Sequence, residues 1–501
     1  MVFSSLTFIC VFLPIVFLAS VVIPRIRFKN LLLIAASLLF YAYGEPIYVL
    51  LMLVSSVLNY AFGRFIGAQR EARPSALGRA RAALVCAIIV NLGFLAVFKY
   101  AGMLVGTADT LFGLQLNIPV VALPIGISFY TFQAMSYVID VYRGSTLAAR
   151  NYFKVLLYIS FFPQLIAGPI IKYHDVDQQL DRRVVTLEGV ASGLRRFSVG
   201  LGKKVLIANT MAVVADSIFS APLSSVNMAV AWLGAFAYVM QIYFDFSGYS
   251  DMAIGLARMF GFHYKENFLY PYTSASIKEF WRRWHVSLST WFKEYLYIPL
   301  GGSRKGRART GLNKVIVFFF CGLWHGASWT FVIWGLFHGL FLLLEEYLPI
   351  KKLPKALGVI YALLVVTVGF VLFRSNSLEQ AGYFIGQMFT GFHFGAAGAA
   401  GAAGAAGAAG AGAAGAAATS LALQQLTPLF IFISAVSLVA CLPVRHWLKA
   451  AIDKRSAKLG HQGCLAALMR PASYVASLLL LLACALTLSS GGYNPFIYFR
   501  F

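Results

Sequence analysis

The 501-residue sequence is 60% hydrophobic and only 12% charged, with a mean hydropathy of +0.76. A soluble domain carries about 25% charged residues, so half that fraction excludes an ordinary soluble protein and indicates a polytopic membrane protein. The 41 Lys and Arg exceed the 18 Asp and Glu, but they fall in short loops between apolar runs. That is the pattern of membrane orientation rather than of nucleic-acid binding.

Apolar segments fall at about residues 5–23, 30–43, 46–62, 83–98, 119–140, 153–171, 205–219, 226–244, 315–347, 357–373, 422–442 and 471–489. With roughly 20 residues per span, they predict an all-α polytopic membrane protein. About ten transmembrane helices and some re-entrant or hairpin segments would form one domain over residues 1–501. The first run has no basic flank before it and no small-residue cleavage site, so it reads as a retained span. Arg25, Arg27 and Lys29 follow it, and Arg64, Arg70, Arg73, Arg79 and Arg81 follow the third run. The intervening "YGEP" turn carries no basic residue. The basic loops therefore face the cytoplasm and the N-terminus lies outside.

Two segments break the alternation. "FKVLLYISFFPQLIAGPIIKY" is flanked by Arg143 and Arg150 before it and by Lys172, Arg182 and Arg183 after it, and the run 315–347 lies between two basic loops as well. Each must return to the side it left. Pro163, Gly168 and Pro169 supply breaks for the first. Irregular backbone is tolerated at membrane depth only where it lines a protein cavity, so the two segments point to a common cavity. Between them, Asp245 and Asp251 in "YFDFSGYSD" read equally well as helix N-caps or as groups that orient a histidine or contact a donor.

"EFWRRWHVSLSTWFKEYLYIPLGGSR", Glu279 to Arg304, reads as one amphipathic helix lying in the cytoplasmic interface. On spacing alone His285 is an interfacial histidine. His325, in "CGLWHGASW", has no polar face at all. An ionisable ring at membrane depth is a functional candidate by default, and an imidazole can take a proton from a hydroxyl and return it to a leaving group. Gly322 and Gly326 would leave room for a substrate beside the ring, and His338 in the same run is a structural or supporting histidine. Residues 395–418 form a low-complexity Gly/Ala exoplasmic loop without chemistry. The 445–470 loop is basic and cytoplasmic, and the tail 490–501 is exoplasmic. The six cysteines show no C-x-x-C pair and read as buried hydrophobes, with no metal-ligand set.

"FWRRWHVSLSTWF", "YLYIPLGGSR", "GLWHGASWTFVIWGLFHG", "PIGISFYTFQAMSYVIDVYRG", "FFPQLIAGPI" and "QIYFDFSGYSDMAIGLARMFGF" resemble the membrane-bound O-acyltransferase (MBOAT) family. Similarity is greatest to its bacterial branch acting in alginate and other exopolysaccharide O-acetylation, and it covers the chain except for the Gly/Ala insertion. The resemblance implies an MBOAT fold around a tunnel, with His325 as catalytic histidine and His285 as its upstream partner, reversing the reading of His285 from spacing. It also implies a cytoplasmic acyl thioester donor, with acetyl-CoA expected and no bound cofactor. Arg282, Arg283 and Arg304 could hold the donor's phosphates. The tail "FIYFRF" resembles a terminal F-x-Y-x-x-F motif, which makes Tyr498 a candidate acyl carrier; an interfacial aromatic anchor is the plainer alternative. The implied partners are a periplasmic SGNH-type acetyltransferase, a polysaccharide acceptor and membrane lipid. The implied location is the bacterial inner membrane, with both termini periplasmic. Peptidoglycan O-acyl or D-alanyl transfer are the rival reactions, and a multi-pass transporter or flippase or a secretion scaffold are the rival classes.

Overall fold

In the computed structural model, which describes residues 1–72, 77–113, 122–392, 418–444, 447–448, 450–451, 464–494 and 496–497, every regular element among the described residues is helical. Among the described residues, seven helices are long and apolar enough to cross a membrane: Tyr48–Ala72, Leu77–Phe112, Leu187–Phe219, Met228–Met259, Trp329–Tyr347, Lys355–Arg374 and Pro471–Ser489. Ala418–Gln425 and Pro428–Ala440, meeting at 71°, add an eighth if they form one bent span. The first two apolar runs form the shorter helices Thr7–Val22 and Ile26–Ala42. The Gly/Ala repeat lies outside the described residues, apart from Ala418. Cys10 and Cys86 are exposed rather than buried; on a surface that faces lipid, a small apolar side chain costs nothing there.

The central pillar is Met228–Met259, started by the Asn227 side chain accepting the Val230 amide at 3.0 Å. Against it lies Leu187–Gly202, backbone to backbone. A Cβ on Gly200 would stand 2.5 Å from the Gly248 carbonyl oxygen, and one on Gly193 would stand 2.5 Å from that of Gly255. Apolar helices gain no hydrophobic energy from one another in lipid, so close van der Waals contact between small residues joins them. Asp245 and Asp251 both lie inside this helix rather than at a cap. Asp251 pairs with Arg196 and Lys203, each at 2.7 Å, and Asp245 pairs with Lys204 at 2.9 Å.

Both segments that broke the charge alternation are interrupted, the first by irregular chain and the second by the turn of a helical hairpin. Tyr152–Ser160 and Phe162–Leu165 are short helices followed by a turn and irregular chain to Lys172. Their freed polar groups find partners: Ile170 N–H donates to Ser287 Oγ at 3.0 Å, and Tyr158 OH donates to the Ile171 carbonyl at 2.7 Å. The run 315–347 is a hairpin of Gly306–His325 and Trp329–Tyr347, and Ser328 caps the second helix. Gly322 and Gly335 meet where the two helices cross. A Cβ on Gly322 would lie 2.3 Å from the Phe331 carbonyl oxygen, and one on Gly335 would lie 2.2 Å from that of Phe318. A Cβ on Gly326 would meet the Phe331 ring. Gly322 and Gly326 therefore serve hairpin packing, not room for a substrate.

A polar cluster ties Ile127–Arg143 to the helix Tyr173–Asp181 and to the turn Lys293–Tyr297. Buried Asp140 accepts from Tyr295 OH at 2.8 Å and faces His174 Nδ1 at 2.7 Å, while Lys172 pairs with Glu294 at 2.7 Å. The hydrogen bond that Asp140 accepts raises the pKa of His174 above its ordinary value, with Asp175 adding to the effect and burial and Lys172 opposing it. A histidine whose folded pKa is raised stabilises the fold fully below its unfolded pKa and loses that contribution as pH rises through the folded value. Thermal stability of the purified protein should therefore fall as pH rises from the ordinary histidine pKa, about 6.5, through the raised folded value. A His174→Gln variant should show a flatter profile; an identical slope in the variant would remove this pair from the account.

Candidate active site

His325 is the last residue of its helix, where the final carbonyls lack helical partners. Two side chains from the Leu77–Phe112 span meet them. Tyr100 OH donates to the Leu323 carbonyl at 2.6 Å, and Lys99 Nζ donates to those of Trp324 at 2.6 Å and His325 at 3.2 Å. The third proton of the buried ammonium goes to Ser128 Oγ at 3.1 Å. A cation at this position also complements the negative end of the helix dipole. Lys99 sits in a wide π-type turn, Ala96–Tyr100, that swings its side chain inward. Sequence reading passed over it, although a single lysine in "FLAVFKYAG" meets the same rule that singled out His325.

The His325 ring is boxed by aromatic edges, with Trp324, Trp334 and Phe373 centred 4.9, 5.0 and 5.2 Å away. It is only 6% exposed, and its Nδ1 makes no hydrogen bond among the described residues. His338 follows behind Trp334, at 5.1 Å, and accepts a 3.4 Å hydrogen bond from Trp281 Nε1 at its own Nδ1. It joins the hairpin to the helix Ile277–Arg283 and has a structural place.

His285 departs from expectation. The stretch Glu279–Arg304 is not one interfacial helix. It is Ile277–Arg283, a break, Val286–Phe292 and the turn Lys293–Tyr297. The break comes from residues earlier in the chain. Leu269 N–H donates to the Arg283 carbonyl and Val286 N–H to the Asn267 carbonyl, both at 2.9 Å, so segment 267–269 pairs with 283–286 and pulls the helix apart. His285 is left in the left-handed region at φ 45°, which costs about 1–3 kcal/mol. Its ring is fully buried. Asn267 Oδ1 lies 3.3 Å from His285 Nδ1 and also accepts the Ser287 amide at 3.0 Å. That arrangement suits a proton on Nδ1 and leaves Nε2, which has no hydrogen-bond partner among the described residues, free to accept one.

The two histidines converge on one tryptophan. The Trp324 ring lies 6.0 Å from His285 and 4.9 Å from His325. The helix Ile127–Arg143 backs both motifs: its Ser128 carbonyl accepts from Trp324 Nε1, and its Phe132 ring stacks on Trp291 at 3.8 Å. Phe246, from the central pillar, closes on His285 at 4.6 Å.

A cavity of about 690 Å³ opens beside this assembly. Lys278, Arg282, Lys293, Arg307 and Lys314 line it together with a single acid, Glu346, and its apolar wall includes Trp281, Val317, Phe318 and Cys321. Cys321 is one helical turn before His325 and shares its face. Of the arginines expected at a donor site, only Arg282 lines the cavity. Arg283 is held by Glu279 at 2.6 Å and Thr273 at 2.8 Å, and exposed Arg304 lies outside the lining. The other four cations were not singled out in the sequence, because their convergence depends on how the hairpin packs against Ile277–Phe292. Tyr498 lies outside the described residues. The residues just before it, Phe496 and Ile497, are buried rather than anchored at an interface.

The model of the membrane-bound O-acyltransferase family matches residues 146–349, a stretch that contains both His285 and His325. The chain is 41% identical, over the whole length of both proteins, to the "probable alginate O-acetylase AlgI" of Azotobacter vinelandii. It is 34% identical to the peptidoglycan O-acetyltransferase of Helicobacter pylori over 76% of this chain and 78% of that one. It is 27% identical to the teichoic acid D-alanyltransferase of Bacillus subtilis over 51% of this chain and 70% of the relative.

Proposed function

This chain belongs to the membrane-bound O-acyltransferase family, and from that membership we propose that it moves an acetyl group from a cytoplasmic thioester across the bacterial inner membrane for O-acetylation of an exopolysaccharide such as alginate. It is a multi-pass membrane O-acyltransferase, so the transporter, flippase and scaffold readings no longer account for it. Full-length similarity to an alginate O-acetylase favours this acceptor over peptidoglycan or teichoic acid. The observation that carries the reading is the convergence of two buried histidines on Trp324 beside a cavity rimmed with cations.

The donor is acetyl-CoA. Guanidinium and ammonium groups suit its phosphates, and the apolar wall suits the pantetheine arm. An acceptor hydroxyl attacks the thioester carbonyl while His325 takes its proton. The new ester C–O bond forms, the C–S bond breaks, and the proton passes to the departing sulfur, which leaves as free thiol. His285, held by Asn267, is the second imidazole of the pair. Tyr498 is the first acceptor: its phenol carries the acetyl ester, then regains a proton as a polymer hydroxyl takes the acyl group. A periplasmic SGNH-type partner completes that second transfer. Both termini are periplasmic, and the basic loops and the cavity mouth face the cytoplasm.

Incubating the purified protein with acetyl-labelled coenzyme A and mapping its peptides tests this scheme. Label should reach the C-terminal peptide in the wild type and be absent in Tyr498→Phe. Label that persists in Tyr498→Phe removes the tail from the mechanism. No transfer at all, with partner and polymer supplied, sinks acetyl-CoA as donor.

A further inference from the structure

The end of the chain turns inward by successive anchors. Tyr493 OH donates to Asp216, which also holds Arg374 at 2.6 Å. Asn494 Nδ2 donates to the Ser4 carbonyl at 2.9 Å, and its Oδ1 accepts from Asn209 Nδ2 at 3.2 Å. The Phe496 ring lies 4.7 Å from that of Tyr249. Ile497, 3% exposed, donates its backbone N–H to Asp245 Oδ2 at 2.9 Å. The segment thus reaches the central pillar at Asp245, next in sequence to Phe246, whose ring packs on His285.

Asp245 and its partner Lys204 are both buried, with 1% and 3% of their side chains exposed. A buried ion pair is a poor device for joining two helices, since a well-packed apolar pair does as well or better. Leu187–Gly202 and Met228–Met259 are already joined by their glycine contacts and by the pairs of Asp251. What a carboxylate supplies here, and an apolar side chain cannot, is an acceptor for the main-chain N–H of an irregular segment. Such a group must find a partner away from water. We propose that Asp245, neutralised by Lys204, is a positioning residue that docks the C-terminal segment inside the protein by holding the main chain at Ile497. The catalytic consequence rests on the reading of Tyr498 as acyl carrier: the hydrogen bond at Ile497 anchors the main chain one residue before that phenol in sequence.

Two double variants of the full-length protein separate the hydrogen bond from the charge. Asp245→Asn/Lys204→Met removes the ion pair and keeps an oxygen acceptor; Asp245→Leu/Lys204→Met removes both. Neither strands a buried charge. Hydrogen exchange of the C-terminal peptide reports docking, and acetyl label on that peptide reports transfer. The Asn variant should stay within about threefold of wild type in both, and the Leu variant should exchange about tenfold faster and lose about tenfold in label, the effect of one buried hydrogen bond. Ile497→Pro removes the donor without touching the ion pair and should behave like the Leu variant, which guards against a core that fails to fold. A tail as protected in the Leu and Pro variants as in wild type overturns the docking role. Faster exchange with undiminished labelling overturns the catalytic consequence of docking. Tyr498→Phe that still passes acetyl to polymer, with its tail protected, sinks the carrier reading alone.

Discussion

Replacing His325 by alanine is expected to cut acetyl transfer about 10²- to 10⁴-fold, the range that a positioned general base contributes, while leaving donor affinity near the wild-type value. The separation follows from geometry. Arg282, Lys293 and Arg307, which would grip phosphates, line the cavity, whereas the His325 ring sits in an aromatic box one helical turn beyond the wall at Cys321. Binding of labelled coenzyme A by equilibrium dialysis, alongside transfer to polymer, reads the two properties independently. His285→Ala should follow the same pattern if its Nε2 shares in proton transfer. Transfer within about threefold of wild type in His325→Ala would place the base elsewhere, because loss of a positioned base exceeds that range.

Lys99→Met should be nearly as damaging, although Lys99 contacts only protein. It leaves the carbonyls of Trp324 and His325 without their donor, and each stranded buried group costs about 1–3 kcal/mol. The end of the helix then has reason to move, and a shift of about 1 Å at a catalytic group costs on the order of 10²-fold in rate. The fall should appear in kcat with KM for the donor little changed. Tyr100→Phe, which removes one bond to Leu323, should lose far less. A Lys99→Met protein with unaltered kcat would show that the helix end keeps its position without the ammonium.

Several features were legible before any coordinates. Charge conflict marked both interrupted segments, and the lack of a polar face around His325 agrees with its burial. The break before His285 was not legible, because no glycine or proline marks it. It is imposed by Asn267 and Leu269, whose pairing with 283–286 leaves no trace in the periodicity of the helix it interrupts. Of the roles left open for Asp245 and Asp251, the helix N-cap is the one the fold excludes, since a 32-residue helix can carry mid-span carboxylates once Lys204, Arg196 and Lys203 arrive from its neighbour.

The sequence by itself determined the class of molecule, all-α and membrane-spanning, and the chemistry at hand: imidazoles without a polar face and cations in short loops. Hydropathy and charge act within single segments, and they can be summed along a chain. Which groups meet is a different matter. That His285 and His325 share Trp324, that Lys99 grips the end of the His325 helix, and that Ile497 reaches Asp245 were decided only by tertiary packing. Each of these contacts joins elements distant in sequence, held by glycine crossings and by hydrogen bonds to main-chain groups, which nearly every residue type carries alike.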